Sequence, residues 1–302
     1  MRDHAGAAAV VDQAANGVGL SSARELIEEQ QLSNLSAVPY FDTFAQHRER
    51  LTAAVSARCL PGSSGRLCVL GAGNGHDLDM PHLATLFREI HLVDIDEAAL
   101  GRAYARQDAA TKARLVLHAP IDLSGLFDRM ESWRDFRVTP EEVAAYPDTA
   151  SQRIVQSLPG PFDVVVSACV LTQMQLSMLS GLSASHRLFE AARQLLNVMH
   201  LRTLAKLLTP NGRAVLASDL SSNLLFPLSP DATDLQSVLV DVLGAGKFFY
   251  AAHPDLLLWA SREDPVLKGL ATLSPPFDVW LWQNGAERTF LVYALELARV
   301  PS

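Results

Sequence analysis

Three glycines at alternate positions, Gly71, Gly73 and Gly75, lie in the stretch Leu67-Cys68-Val69-Leu70-Gly71-Ala72-Gly73-Asn74-Gly75-His76-Asp77-Leu78, where an apolar run gives way to a helical pattern. Glycine at such a strand-to-helix turn admits positive φ angles and lets a ligand approach the backbone with no Cβ in the way. The dinucleotide fingerprint would need its third glycine one position later, where this chain has His76, so the spacing is GxGxG and a pyrophosphate reader is disfavoured. Nineteen residues after Gly75, Asp94 closes the apolar run Ile90-His91-Leu92-Val93. A carboxylate there can accept both hydroxyls of a ribose.

Other chemistries find no support in the residue pattern. The nine histidines are scattered singly with no HxxxH pair, and the three cysteines, Cys59, Cys68 and Cys169, are widely spaced, so neither a metal site nor a disulfide framework is expected. His91 and His118 lie in or near strand patterns and read as core, and His253 reads as a loop residue. No general base is legible. A net charge of −8 without any basic run argues against a nucleic-acid partner. Apolar residues make up 49% of the chain, yet no stretch approaches the ~20 apolar residues that span a bilayer, and the run from Ala5 to Val11 is too short for a signal sequence. A protein of the reducing cytoplasm, bound to no membrane, is expected, with a homodimer open.

The elements that would position these residues follow from periodicity. Residues 1 to about 20 are unpatterned; Ser21-Ser22-Ala23-Arg24-Glu25 then opens a capped helix, and a second helix is expected from about Ala37 to Cys59, ended by Pro61-Gly62-Ser63-Ser64-Gly65. Residues 1–60 thus form a helical segment or lid, with Tyr40, Phe41 and Phe44 its aromatic cluster. From residue 61 to 302, short apolar runs alternate with helical stretches, the pattern of an α/β, doubly wound, mostly parallel sheet. Strands are expected at 67–70, 90–93, 114–117, 163–166 and 213–217, a long helix at Ala184 to Leu208, and a closing hairpin of 278–282 and 289–297 around Asn284-Gly285. Polar or variable insertions at about 128–160 and 220–275 would shape a substrate.

With these residues in place, the sequence resembles the class I, Rossmann-like S-adenosylmethionine-dependent methyltransferase family over roughly Arg66 to Leu297. The resemblance implies a seven-stranded sheet of order 3-2-1-4-5-7-6 with strand 7 antiparallel. It also implies that the turn Gly71, Ala72, Gly73, Asn74, Gly75 packs on the methionine part of the cofactor, and that Asp94 and Ile95 meet its ribose. In Ala119-Pro120-Ile121-Asp122-Leu123, Asp122 would meet the adenine amino group, with Leu123 packing on the ring. Phe162-Asp163-Val164-Val165-Val166-Ser167-Ala168-Cys169-Val170-Leu171 is similar to the family segment that passes beside the methyl group, placing Ser167 and Ala168 there, and Leu207 to Arg213 is similar to its "LLKPGG" turn. One departure stands out: many members carry Asp or Glu two residues before the first glycine, where this chain has Val69. Asp42 or Tyr40 from the N-terminal helices, or other groups, would then hold the amino-acid moiety.

The resemblance implies methyl transfer to a small molecule, as in secondary metabolism, because the Asn/Asp-Pro-Pro-Tyr signature of nitrogen methylation on DNA bases or protein amides is absent at strand four, where Ser167-Ala168-Cys169-Val170 stands, and the net charge is acidic. Tyr40 and Gln173 are the catalytic candidates. Two alternatives are weighed beside it. One is a non-methylating enzyme of the same fold, which transfers the aminocarboxypropyl group or closes it to azetidine-2-carboxylate with release of methylthioadenosine. The other is a non-catalytic, cofactor-binding regulatory subunit.

Overall fold

The computed structural model describes residues 21–59, 65–134, 138–182, 184–229, 232–249 and 252–301; the unpatterned first twenty residues and most of the Pro61 loop lie outside them. Five strands form the parallel part of the sheet: β1 (Arg66–Leu70), β2 (Glu89–Val93), β3 (Leu115–His118), β4 (Phe162–Ala168) and β5 (Leu208–Ser222). Three more complete it: β6 (Ala271–Leu273), β7 (Asp278–Gln283) and β8 (Thr289–Arg299). Their order is β3-β2-β1-β4-β5-β8-β6, with β7 also paired to β8. β8 runs antiparallel to β5, β6 and β7. This is the sheet that the resemblance implies, except that the sixth strand comes in two pieces, giving eight strands among the described residues. Pro275 and Pro276 stand between the pieces, and residues without an N–H cannot continue a ladder.

Side chains alternate across the sheet as a period of two requires. Cys68, Leu70, Val165 and Leu216 face one apolar cluster, which the helices Pro140–Gln156, Val170–Leu182 and Phe189–Leu207 complete. Leu67, Val69, Val164, Val166 and Val215 face the other, closed by Ala45–Ser56, Met80–Leu86 and Glu97–Ala105. A buried arginine fastens the helices of the 220–275 insertion. Arg202 makes a bidentate pair with Asp264 (3.0 and 2.6 Å) and also reaches Asp148 at 2.7 Å.

The N-terminal segment is built differently from the sequence expectation. Helix α1 (Ala23–Ala37) starts as expected, on a capping box between Ser22 and Glu25. The second helix does not run from 37 to 59. Pro39 ends the α-helical ladder, a 3-10 stretch occupies Val38–Phe44 with a kink at Tyr40, and helix α2 spans only Ala45–Ser56. The long helix after β4 likewise begins at Phe189 rather than Ala184. Only Leu26 of α1 is buried, while Leu32 and Leu35 are 62% and 57% exposed. The helix packs across helices Glu97–Ala105 and Val170–Leu182, and the Ser21 N–H donates to the Ser180 carbonyl at 3.0 Å. It therefore bridges the helices that follow β2 and β4.

Candidate active site

The three glycines of the turn have φ of +76° (Gly71), +47° (Gly73) and +65° (Gly75), a region that L side chains rarely enter. Their missing side chains face different neighbours. A Cβ on Gly71 would stand 2.7 Å from Val170 Cβ, and one on Gly75 would stand 3.0 Å from Ala103 Cβ, so these two serve the packing of the turn against its helices. Gly73 faces outward, where its Cβ would meet the Asn34 Oδ1 of α1 at 3.2 Å. Asn34 also donates to Asp96 Oδ2 (3.1 Å) and accepts at its carbonyl from Asn74 Nδ2 (2.5 Å). Asn74 is held in turn by Arg102 at 2.8 Å, and Ala72 is buried beneath the turn.

The N-terminal helices do bring a polar side chain to the glycine turn that follows Val69, but through a residue other than the two the sequence suggested. Val69 is 1% exposed in the core. Asp42 is exposed, and the Tyr40 ring packs by Gly285 in the hairpin, 3.7 Å from where a Cβ there would sit. The last turn of α1, through Asn34, brings a polar side chain to the glycine turn.

Asp94 lies where the sequence put it, at the tip of β2, and is 8% exposed. Its Oδ2 accepts from the Gly73 N–H at 2.8 Å and its Oδ1 from the Asp96 N–H at 2.9 Å. Burial pushes its pKa up, and these two donors work against that shift. Each oxygen keeps a further lone pair, so the carboxylate is oriented yet able to accept two hydroxyls. Asp96, by contrast, caps the helix Glu97–Ala105 through the Ala99 N–H and lies 3.5 Å from Arg102. Beside Asp94, Ile95 and Pro120 line an open cleft of about 560 Å³, with Glu97 and Ala98 on one side and Ile27 and Gln31 of α1 on the other. A smaller depression of about 320 Å³, bordered by Gly160, Pro161, Leu208 and Arg299, opens at the far ends of the strands from this turn.

The segment after β3 contributes through Pro120. Asp122 Oδ1 accepts from the Ser124 N–H and hydroxyl (2.8 and 2.6 Å) and Oδ2 from the Phe127 N–H (3.0 Å), an Asx-type turn that engages both oxygens, and Leu123 is buried in the core. At the β4 tip, Ser167 faces the helix side, bonded to His200 at 2.8 Å; burial lowers the His200 pKa to about 4 and keeps it a neutral partner. Ala168 is buried on the opposite face, and Cys169 turns the chain at φ +50°. Gln173 points to solvent, so the structure does not bring it or Tyr40 to the glycine turn. His91 is bonded to His118 at 2.9 Å between β2 and β3, and His253 caps a helix by accepting from the Asp255 N–H. Among the described residues no group of three His, Cys, Asp or Glu side chains could hold a metal, and no helix is long and apolar enough to cross a membrane.

Sequence reasoning missed Asp219. This residue lies on β5 two positions past Ala217, which pairs with Ala168 at the end of β4. It is 7% exposed and its Oδ1 has no hydrogen-bond partner. Burial raises its pKa to about 7, with Thr172 the chief opposing influence. The Cys169 thiol, itself pushed well up by burial, feels the negative charges of both Asp219 and Asp77, so this carboxylate and the glycine-turn loop converge at the β4 tip. A signal was present: Asp219 follows the apolar run Ala214 to Ala217 much as Asp94 follows Ile90 to Val93. No turn residue marks the end of β5, so the run looked unfinished.

The order of the sheet is that of the Rossmann-like methyltransferase fold, with the glycine turn and Asp94 at its strand tips. No family model and no curated protein matches the sequence. Among solved structures the chain is similar to an arsenic(III) S-adenosylmethionine methyltransferase from Chlamydomonas reinhardtii at 15% identity, over 83% of this chain and 74% of that one, with a TM-score of 0.42. It is also similar to magnesium protoporphyrin IX methyltransferase from Synechocystis PCC 6803 with bound SAH at 14% identity, over 99% and 97% of the two chains, with a TM-score of 0.41. The N-methyltransferase NodS from Bradyrhizobium japonicum WM9 follows at 14% identity, over 85% and 98%, with a TM-score of 0.38.

Proposed function

We propose that the protein binds S-adenosylmethionine across the tips of β1, β2 and β3 and transfers its methyl group to a small molecule. The observation that carries this reading is the clasp at the β2 tip, where the glycine turn donates from Gly73 to a buried, backbone-oriented Asp94, and the next residue, Ile95, lines an open cleft with Pro120. The parts fit a nucleoside with an amino-acid tail. Asp94 offers two lone pairs to a ribose, Ile95 and Pro120 offer flat apolar surface to a base, and Gly73 with Asn34 offers backbone and amide groups to the tail. When bound, the cofactor supplies an electrophilic methyl carbon on a sulfonium. The chain's own work is then to align the acceptor and exclude water.

Helix α1 acts as the lid in this reading. It lies over the cleft through Ile27 and Gln31, is held to the turn by Asn34, and has a single buried side chain, so it can leave and return at small free-energy expense. The test is incubation of the pure protein with S-adenosylmethionine, followed by mass spectrometry. S-adenosylhomocysteine appearing only with an added acceptor is the expected result. Methylthioadenosine formed without acceptor would replace methyl transfer by the cyclising or aminocarboxypropyl chemistry, and binding without either product would leave a regulatory subunit.

A further inference from the structure

Beyond the cofactor clasp, buried polar atoms without partners gather at the other edge of the sheet. Asp219 pairs with Val292, which pairs with Trp280, and Ser222 pairs with Phe290, which pairs with Trp282, so two cross-strand rows lie side by side at the end of β5. Directly opposed residues of antiparallel strands share a face, and Trp280, Trp282, Phe290 and Val292 all belong to the cluster that α2 covers. Asp219 Oδ1, Ser222 Oγ and the Trp282 indole N–H are each buried without a hydrogen bond. A buried polar atom left unpaired has given up its hydrogen bond to water for nothing, and three along two adjacent rows call for a ligand that pairs them.

The surroundings say what kind. Trp282 is ringed by Phe290 at 5.2 Å, Phe44 at 5.3 Å and His47 stacked at 4.7 Å, and Phe249 lies 6.3 Å from Phe290. Flat apolar walls suit an aromatic ring. The unpaired set comprises a carboxylate oxygen that needs a donor, an indole N–H that needs an acceptor, and a hydroxyl that can serve either need. Among the described residues no cation acts on Asp219.

Resting on the proposed methyl transfer, we infer that the acceptor is a planar aromatic alcohol seated on this patch, its hydroxyl donating to Asp219 and a neighbouring oxygen accepting from the Trp282 indole. Asp219 is then the proton acceptor. As the acceptor oxygen bonds the methyl carbon, its O–H proton passes to the Asp219 carboxylate, and the carbon–sulfur bond breaks with its electron pair left on sulfur, which becomes a neutral thioether. A carboxylate whose pKa is about 7 is half ionised at neutrality, which suits a general base. The titratable neighbours are otherwise engaged: burial holds both the Cys169 thiol and the Tyr293 phenol neutral, Thr172 is a hydroxyl, and His47 and Asp77 lie 3.3 Å from each other while His47 also accepts from the Trp280 indole at 2.9 Å.

The test uses protein saturated with S-adenosylhomocysteine and follows the binding of catechol, 2-hydroxyacetophenone and benzylamine by saturation-transfer NMR and calorimetry. The two phenols are expected to bind, and benzylamine to bind at least about tenfold more weakly. Asp219→Asn is expected to weaken the phenols at least about tenfold while S-adenosylhomocysteine affinity and circular dichroism stay as in the wild type, and Trp282→Phe to weaken 2-hydroxyacetophenone with less effect on benzylamine. Phenol affinity should rise from about pH 6 to about pH 8 in the wild type and stay flat in Asp219→Asn. Absence of S-adenosylhomocysteine binding overturns the cofactor reading itself. If that ligand binds but no phenol does, or benzylamine is preferred, or Asp219→Asn binds phenols as well as the wild type, the acceptor inference falls and the cofactor reading stands.

Discussion

Asp94 and Asp219 end apolar runs on strands β2 and β5, are nearly equally buried at 8% and 7% exposure, and are raised in pKa by the same cause, yet their hydrogen bonding differs. Asp94 has a backbone N–H on each oxygen, from Gly73 and Asp96, which fixes its direction and favours its charge. Asp219 Oδ1 has none. A carboxylate oriented by backbone donors on both oxygens suits a clamp for hydroxyls, whereas one with a free oxygen in an apolar setting takes up a proton readily. Burial alone does not separate the two roles; the partners do.

The sharpest way to break this contrast is at the clamp's own turn. Gly73→Val would force a branched residue into φ +47° and fill the space between turn and lid, so S-adenosylhomocysteine binding should fall at least about a hundredfold with far-ultraviolet dichroism unchanged. Gly75→Val should behave differently. Its side chain would press on Ala103, so it should lower the melting temperature before it touches binding. Equal binding by wild type and a folded Gly73→Val would remove the cofactor site from this turn.

Asp219→Asn sharpens the other half through stability. The folded pKa of about 7 lies above the ordinary 3.8, so between these values the native state binds more protons than the unfolded chain. Wild-type stability therefore falls as pH rises from about 4 through 7. The gap corresponds to roughly 4 kcal/mol at ~1.4 kcal/mol per pH unit. Asparagine does not ionise; the variant should match the wild type at about pH 3.5, below both values, and exceed it at pH 8 by up to that amount in chemical denaturation. A variant less stable than wild type at pH 8 would mean that Asp219 is a paired structural carboxylate.

For the clamp, Asp94→Ala should weaken S-adenosylhomocysteine by about 2 to 4 kcal/mol in calorimetry, the loss of two charge-assisted hydrogen bonds. Asp96→Ala should show chiefly as about 1 kcal/mol of lost stability, because it caps a helix. If Asp96 proved the more damaging to binding, the ribose clamp would belong two residues later.

The glycine turn and the position of Asp94 were legible in the sequence because their grammar is local: strand, three glycines, helix and an acid at the next strand's tip follow one another along the chain. The surroundings of Asp219 were not. Asp219 acquires its meaning from β8 and from Cys169 and Thr172, none of them near it in sequence, and the rows that join it to Trp280 and Trp282 depend on antiparallel register. Asn34 stands at the glycine turn only because α1 folds back over residues 73 to 96. Asp122 shows the converse hazard, for an acid in a familiar place also suits the turn it caps. Pro39 was visible, but its power to split the second helix was outweighed by the aromatic spacing that followed it.

The smallest effect expected concerns the segment that joins the two halves. Its anchor is the 3-10 stretch, where Phe41 lies between the guanidinium groups of Arg48 and Arg106 (3.9 and 4.4 Å) and edge-on to His76, and Phe44 meets Trp282. Helix α1, ahead of it, has one buried leucine and a few polar tethers. Opening should then pivot at the kink by Tyr40 while residues 41–56 stay packed. Amide exchange in residues 23–37 should slow severalfold when S-adenosylhomocysteine binds, and exchange in Ala45–Ser56 should ignore the ligand. Tyr40→Ala removes a half-buried ring beside Gly285 and should lower stability by only about 1 kcal/mol while raising ligand dissociation several-fold, because a looser pivot leaves the lid open longer. Ligand-independent exchange in α1, with a Tyr40→Ala effect confined to the melting temperature, would make the N-terminal segment an ordinary part of the core and leave the two carboxylates uncoupled by any lid.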